Sequence, residues 1–86
     1  MSRYKVVGEW GGIAREGNFW IQEADIEDTR TGTRYEGGAQ RVVDARRGMK
    51  PAKVGKGGTV PFYGECAWMD AARLARDLDT AERLGR

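Results

Sequence analysis

The sequence has no histidine and only one cysteine, Cys66, among its 86 residues. Histidine is the commonest metal ligand and general base near neutral pH, and a disulfide or a multi-cysteine zinc site needs at least two cysteines. These absences exclude a disulfide within the chain and count against metal-dependent and acid–base catalysis. We therefore expect a non-enzymatic protein with no metal and no cofactor.

The single cysteine stands just before the predicted C-terminal helix, where a helix dipole can activate a thiol as a nucleophile. Because the chain has no histidine to act as a base, we favour the other interpretation of Cys66, a half-buried structural thiol.

The chain also lacks a long apolar run. No segment approaches the roughly 20 apolar residues that a membrane-spanning helix needs, and no basic stretch is followed by the apolar stretch of a signal peptide. A chain of 86 residues has room for one domain, residues 1–86. We expect a soluble protein of the cytoplasm without a membrane partner.

Positive charge is concentrated in one segment, although the whole chain has a formal charge of only +2. Residues 41–60 contain a single acid, Asp44, and have a formal charge of +5, whereas both flanking segments are slightly negative. The basic residues are Arg41, Arg46, Arg47, Lys50, Lys53 and Lys56. Such a segment can contact nucleic-acid phosphates or an acidic protein surface, and it can also act simply as solubilising charge.

Two strands are predicted in the first third of the chain. Residues 3–10 alternate polar and apolar side chains, and Gly11-Gly12 is expected to end this strand. Residues 12–17, with Glu16-Gly17-Asn18 at their end, then suit a hairpin connection. Residues 18–28 alternate again. One face of this second strand would carry Trp20, Gln22, Ala24 and Ile26, and the other Phe19, Ile21, Glu23, Asp25 and Glu27.

A second turn is predicted at residues 28–32, followed by a third strand that begins near Thr33 and includes Tyr35. Gly37-Gly38 would be either a bulge in this strand or its end. Residues 39–46 fit a strand or one to two helical turns, and the sequence does not decide between them.

Residues 48–58 are rich in glycine and lysine and predict a flexible basic loop. Gly55-Lys56-Gly57-Gly58-Thr59 partly matches a phosphate-binding loop, but the spacing of that motif is absent. Residues 59–63 predict a short strand, and Pro61 indicates that this strand either lies at an edge of the sheet or begins there.

Residues 65–84 predict a helix, because Ala67, Ala71, Leu74, Leu78 and Ala81 recur at steps of three and four. Asp79 and Arg83 form a supporting i,i+4 pair, Glu65 suits the N-terminus and Gly85 suits the end. The predicted fold class is α+β: a small, three- to four-stranded, mainly antiparallel sheet with this C-terminal helix packed on one face.

Two further groups of side chains are candidates for function. Glu23, Asp25 and Glu27 form an acidic row that could bind a cation, but hard-cation sites usually draw ligands from several segments, so we interpret the row as a solvated face. Trp68 and Met69 fall at the edge of the apolar helix face or outside it. Either they form an exposed hot spot for a protein partner or a homodimer, or the sheet covers Trp68 and leaves Met69 as an isolated exposed residue.

The succession of strands with a Thr31-Gly32 turn, a short strand ending at Phe62-Tyr63 and an Ala/Leu/Arg-rich helix resembles small accessory proteins of bacteriophages and mobile elements, including anti-CRISPR and other anti-defence inhibitors. The resemblance implies a protein that binds and sterically blocks a host protein or ribonucleoprotein complex, in the host cytoplasm if it is phage-encoded. Several such inhibitors mimic DNA with an acidic surface, whereas this chain is slightly basic.

We therefore expect a small interaction protein that inhibits its partner by steric occlusion. Its contacts would be the six basic residues of residues 41–60 together with Trp68 and Met69. The alternative is a nucleic-acid-binding module that uses the basic residues 41–56 and exposed aromatic side chains such as Tyr63.

Overall fold

The fold is seen in a computed structural model that describes residues 3–85. Three long strands run antiparallel in chain order, two short strands pair with the third, and a separate two-stranded hairpin precedes the C-terminal helix. The elements are β1 (Tyr4–Glu16), β2 (Phe19–Asp28), β3 (Arg34–Asp44), β4 (Lys50–Pro51), β5 (Lys53–Val54), β6 (Gly57–Gly58), β7 (Phe62–Tyr63) and α1 (Ala67–Arg83).

The predicted fold class is confirmed: this is an α+β structure in which α1 packs on an antiparallel sheet. The sheet has five strands, two of them only two residues long. Alanines on α1 let its backbone approach the sheet closely, and the core forms between them and the apolar side chains of β2 and β3. The buried core residues are Phe19, Ile21, Val42, Ala52, Ala71 and Ala75.

The first strand is longer than predicted, because Gly11-Gly12 does not end it. β1 continues to Glu16 and absorbs these glycines in two register shifts, between Val7 and Gly11 and between Gly12 and Ala14. Gly8 adopts a φ of +83°, which a glycine tolerates and other residues rarely do. The glycines therefore bend the strand where the sequence suggested a stop, and the hairpin turn is confined to residues 17–18.

The side chains of β2 alternate between two faces as predicted, but neither face is buried along its whole length. Phe19 and Ile21 are buried against α1, and further along the strand Ala24 and Ile26, on the opposite face, are buried instead. Both neighbouring strands are bulged at this point of β2. Beyond the bulges, Tyr4 and Tyr63 stack with their ring centroids 6.3 Å apart.

Both alternatives for residues 39–46 are partly realised. The strand continues through the Gly37-Gly38 bulge to Asp44, and a short 3₁₀ helix follows at Ala45–Arg47. Asp44 caps this turn, because its side chain accepts a hydrogen bond of 2.9 Å from the backbone N–H of Arg46. Gly38 is required at the bulge, since a Cβ there would lie 2.6 Å from Cγ1 of Ile26.

Residues 48–58 contain more regular structure than a loop prediction implies. β4 pairs with the end of β3, and β5 pairs with β6 across a tight turn. Ala52, which separates β4 from β5 in the chain, is fully buried and donates its N–H to the carbonyl oxygen of Val42 at 3.0 Å. The flexibility of this segment stays a prediction. The following strand is shorter than predicted, only Phe62–Tyr63, and it lies against β3 at the edge that Pro61 indicated.

The predicted helix is confirmed as Ala67–Arg83, and Gly85, with a φ of +75°, follows its end. The pair Asp79–Arg83 forms with 3.0 Å between Oδ2 and Nη2. The buried residues of the helix include Ala75 and Asp79, which the spacing argument did not single out. Within residues 3–85, no helix is long and apolar enough to cross a membrane.

Candidate interaction surfaces

The six basic residues of residues 41–60 do not form a single patch: Arg46, Arg47 and Lys53 line one cavity with residues at the end of α1, whereas Arg41 lies elsewhere. Cross-strand partners share a face of a sheet, so Asp44, opposite Phe19, lies on the face covered by α1, and Arg41, opposite Gln22, lies on the other. Because Arg46 binds Asp44, Arg41 and Arg46 belong to different sides of the sheet.

Arg46 is a structural residue of the 3₁₀ turn. Its guanidinium lies 2.9 Å from Oδ2 of Asp44 and 3.0 Å from Oε1 of Glu82 in α1. Asn18, in the β1–β2 turn, donates to the same Glu82 oxygen at 2.9 Å. The hydrogen bonds from Arg46 hold the pKa of Asp44 below its ordinary value. This polar cluster joins the turns at residues 17–18 and 45–47 to the end of α1.

The remaining basic residues of this segment differ in whether they have a partner in the described part of the chain. Arg47 donates to the backbone oxygen of Pro51 at 2.7 Å. Three lysines are exposed and form no ion pair with any residue between 3 and 85: Lys50, Lys53 and Lys56. The charges of these three lysines are available to a partner.

The outer surface of α1 carries the Trp68–Met69 pair. Trp68 is 45% exposed and Met69 is 61% exposed, so the sheet does not cover Trp68. Together with Ala72, Arg73 and Arg76 they line a shallow cavity of about 290 Å³. Neither arginine forms an ion pair within the described chain. We call these five residues the helix surface.

Cys66, at the start of α1, is exposed, so the expectation of a half-buried thiol is wrong. The helix begins at Ala67, whose side chain fills the buried position at the first turn and leaves Cys66 outside the core.

The acidic row on β2 is largely engaged by basic partners. Asp25 lies 2.8 Å from Nη2 of Arg34 and accepts the N–H of Gly37 at 3.0 Å, and both contacts lower its pKa. Glu27 lies 3.2 Å from Nζ of Lys5. In the described part of the chain, no group of three or more acidic, cysteine or histidine side chains is arranged to hold a metal ion.

The sheet face opposite α1 carries a group that sequence reasoning missed as a site. The guanidinium carbon of Arg41 lies 4.4 Å from the ring centroid of Trp10, and that of Arg15 lies 5.5 Å from the ring of Trp20. Gln22 accepts a 2.8 Å hydrogen bond from Nε of Arg41. We call Trp10, Arg15, Trp20, Gln22 and Arg41 the Trp–Arg face.

The sequence held part of the signal for this face. The alternation of β2 placed Trp20 and Gln22 together, and the register confirms that their direct partners are Arg15, Val43, Gly12 and Arg41. The position of Trp10 could not be inferred, because it depends on the shift in register between Val7 and Gly11.

The structure is that of a small α+β domain in which one helix packs on one face of the sheet. No protein-family model, no curated protein and no solved structure matches this chain.

Proposed function

We propose that this chain is a small non-enzymatic interaction protein that binds a partner protein or ribonucleoprotein complex through the helix surface and blocks it sterically. The observation that carries the proposal is the exposure of Trp68 and Met69, two large apolar side chains next to each other on a fixed helix.

The composition of the helix surface suits an interface. Tryptophan, methionine and arginine are enriched at protein interfaces, and tryptophan and arginine are among the residues enriched in binding hot spots. Trp68, Met69, Arg73 and Arg76 bring these residue types together around the small side chain of Ala72. A partner side chain can therefore reach the base of the cavity between them.

The helix also limits the entropic cost of binding. Ala67, Ala71 and Ala75 are buried beneath the helix surface and fix the backbone that carries Trp68 and Met69. At this surface, association then has to order side chains but no backbone, and each ordered side chain costs roughly 0.5–1.5 kcal/mol.

Charge favours a partner with an acidic surface. Arg73 and Arg76 have no carboxylate partner within residues 3–85. Lys50, Lys53 and Lys56 add exposed positive charge elsewhere on the domain and would steer association without forming the centre of the interface. Arg46 contributes less to such steering than the sequence suggested, because Asp44 and Glu82 neutralise it.

The test is affinity capture from the cell in which the chain is expressed, with three forms of the protein compared. The helix-surface variant is Trp68→Ala with Met69→Ala. The matched control is Leu84→Ala, which truncates an apolar side chain that is 62% exposed at the other end of the helix. We expect a partner that the wild type and the control retain and the helix-surface variant loses, with all three forms unfolding at similar temperatures.

Function is then tested with the captured partner. Adding the wild-type protein should reduce the partner's association with its own ligand or complex, and the helix-surface variant should not. Equal capture by the helix-surface variant would overturn the proposal, and so would recovery of only a second copy of this chain, which would indicate a homodimer.

A further inference from the structure

We propose that the Trp–Arg face binds single-stranded nucleic acid, with bases stacked on its planar side chains and phosphates held by its guanidinium groups. This inference goes beyond the proposed function, because it concerns the sheet face opposite α1 and a different class of ligand.

Around Trp20 and Gln22, the Trp–Arg face carries positive charge and the opposite face of the sheet carries negative charge. At the positions paired with Trp20 and Gln22, this face holds Arg15, Val43, Gly12 and Arg41. Around the same two residues, the carboxylates Glu16, Glu23 and Asp44 are paired with residues of the opposite face. Asp28 shares the Trp–Arg side of β2, but it lies at the far end of that strand, where Arg3 is 3.1 Å away. A polyanion that lies across the Trp–Arg face meets two cations and no carboxylate at the positions paired with Trp20 and Gln22.

Arg41 is a partly desolvated cation without a carboxylate partner among residues 3–85. Burial lowers the pKa of its guanidinium, and no ion pair to it is formed by residues 3–85. A partly buried charge is costly unless an opposite charge approaches it. The ring of Trp10 below it and the hydrogen bond to Gln22 fix its orientation, so the site is preorganised for an anion.

Trp20 and Arg15 provide a second planar group and a second cation. The ring of Trp20 lies beside Gly12, where a Cβ would be 3.4 Å from Cε3. Trp20 remains half-buried and Arg15 is exposed. An incoming base can displace the exposed guanidinium of Arg15 from the ring, and Arg15 can then contact the adjacent phosphate.

The planar groups favour single strands over duplexes. Aromatic rings and guanidinium planes stack on the exposed faces of unpaired bases, whereas base pairing and stacking inside a duplex hide those faces. A purely acidic peptide would engage the two guanidinium groups but would gain nothing from the two indoles. The arrangement of Trp10 and Trp20 beside Arg41 and Arg15 thus points to nucleobases joined by phosphates.

The test is fluorescence anisotropy of the full chain with labelled oligothymidylate and oligouridylate, and with a duplex of the same length and polyglutamate as competitors. We expect the single strands to bind with an affinity that falls as salt rises. Trp20→Leu should weaken binding by about five- to 150-fold, the range for the loss of one stacked base. Arg15→Ala should reduce the slope of log K against log salt by about 0.7, the value for one lost phosphate contact with a single strand.

The charge-matched control is Lys56→Ala, which removes an exposed cation from the turn between β5 and β6. It should change the affinity less than Arg15→Ala does and leave the effect of Trp20→Leu intact. No binding at low salt would overturn the proposal. So would equal affinity for duplex and single strand, inhibition by polyglutamate as strong as by unlabelled single strand, or an unchanged affinity in Trp20→Leu.

The two proposals can be tested independently of each other. Trp68→Ala with Met69→Ala should leave oligonucleotide binding unchanged, and Trp20→Leu should leave capture of the protein partner unchanged. Circular dichroism of each variant establishes that it is folded before its affinity is interpreted.

Discussion

The carboxylate of Asp79 occupies the space in which a side chain at Gly17 would begin. Gly17 lies in the β1–β2 turn with a φ of +59°, and Asp79 is one of the buried residues of α1. The helix therefore fits against the turn because residue 17 has no Cβ.

Replacing Gly17 with alanine should lower the free energy of unfolding by roughly 2–4 kcal/mol, because a positive φ is costly for alanine and the new methyl group displaces the Asp79 carboxylate. Gly55→Ala is the matched control, since Gly55 has a φ of +63° and nothing within 4 Å of its Cβ position. It should cost only about 1–2 kcal/mol. Urea unfolding followed by tryptophan fluorescence measures both, and equal losses would contradict the role of the close contact.

Arg46→Ala should lower the temperature of thermal unfolding, because it removes one partner from the largely buried Asp44 and releases the 3₁₀ turn from Glu82. Lys53→Ala removes a similar charge that has no ion pair in the described chain, and it should change stability by less than about 0.5 kcal/mol. Thermal unfolding of the two variants separates a structural role of Arg46 from a general effect of positive charge.

The free energy of unfolding should fall at acid pH. The backbone N–H of Arg30 and the guanidinium of Arg3 hold the pKa of Asp28 below its ordinary value, and Arg46 does the same for Asp44. A carboxylate with a lowered native pKa stabilises the fold fully above its unfolded pKa of about 3.9, and this contribution is lost as pH falls through the lower native value.

Asp28→Asn should therefore make stability depend less on pH below about 4, as measured by urea unfolding over an acid pH series. Asp77→Asn, which alters an exposed carboxylate of α1 that forms no ion pair with residues 3–85, provides the comparison. If the free energy of unfolding of Asp28→Asn falls as steeply at acid pH as that of the wild type, Asp28 does not contribute to the pH dependence.

Ala75→Leu should lower the free energy of unfolding by about 1–3 kcal/mol, because Ala75 is fully buried between α1 and the sheet and the larger side chain forces the two layers apart. Asp77→Leu places the same side chain on the exposed side of the helix, two residues away, and should have a much smaller effect. Chemical unfolding of both variants measures how closely the helix must approach the sheet.

The sequence predicted α1 well because its period, its small apolar residues and the Asp79–Arg83 pair are local features. The faces of β2 were predicted less well, because the side that becomes buried depends on bulges in its neighbours, β1 and β3. Glycine pairs mark both bulges, but a glycine pair in a sequence fits an end of a strand as well as a bend within it.

The helix surface and the Trp–Arg face also differ in how far the sequence predicts them. The helix surface follows from spacing within α1, so Trp68 and Met69 could be placed from the sequence, although only the position of the sheet decides that Trp68 is exposed. The contact between Trp10 and Arg41 joins residues far apart in the chain through a shifted register, and no local pattern encodes it. The division of the basic residues between two sides of the sheet depends on register as well.

The bends in β1 also bear on how the protein avoids aggregation. β1 is an edge strand of 13 residues, and an edge of that length, if flat, is a template on which another chain can add a strand. Its two register shifts and the positive φ of Gly8 interrupt the row of outward-facing backbone groups. The charged Lys5, Glu9 and Arg15 lie along the same edge strand. The irregular geometry that places Trp10 beneath Arg41 thus also works against edge-to-edge polymerisation of the sheet.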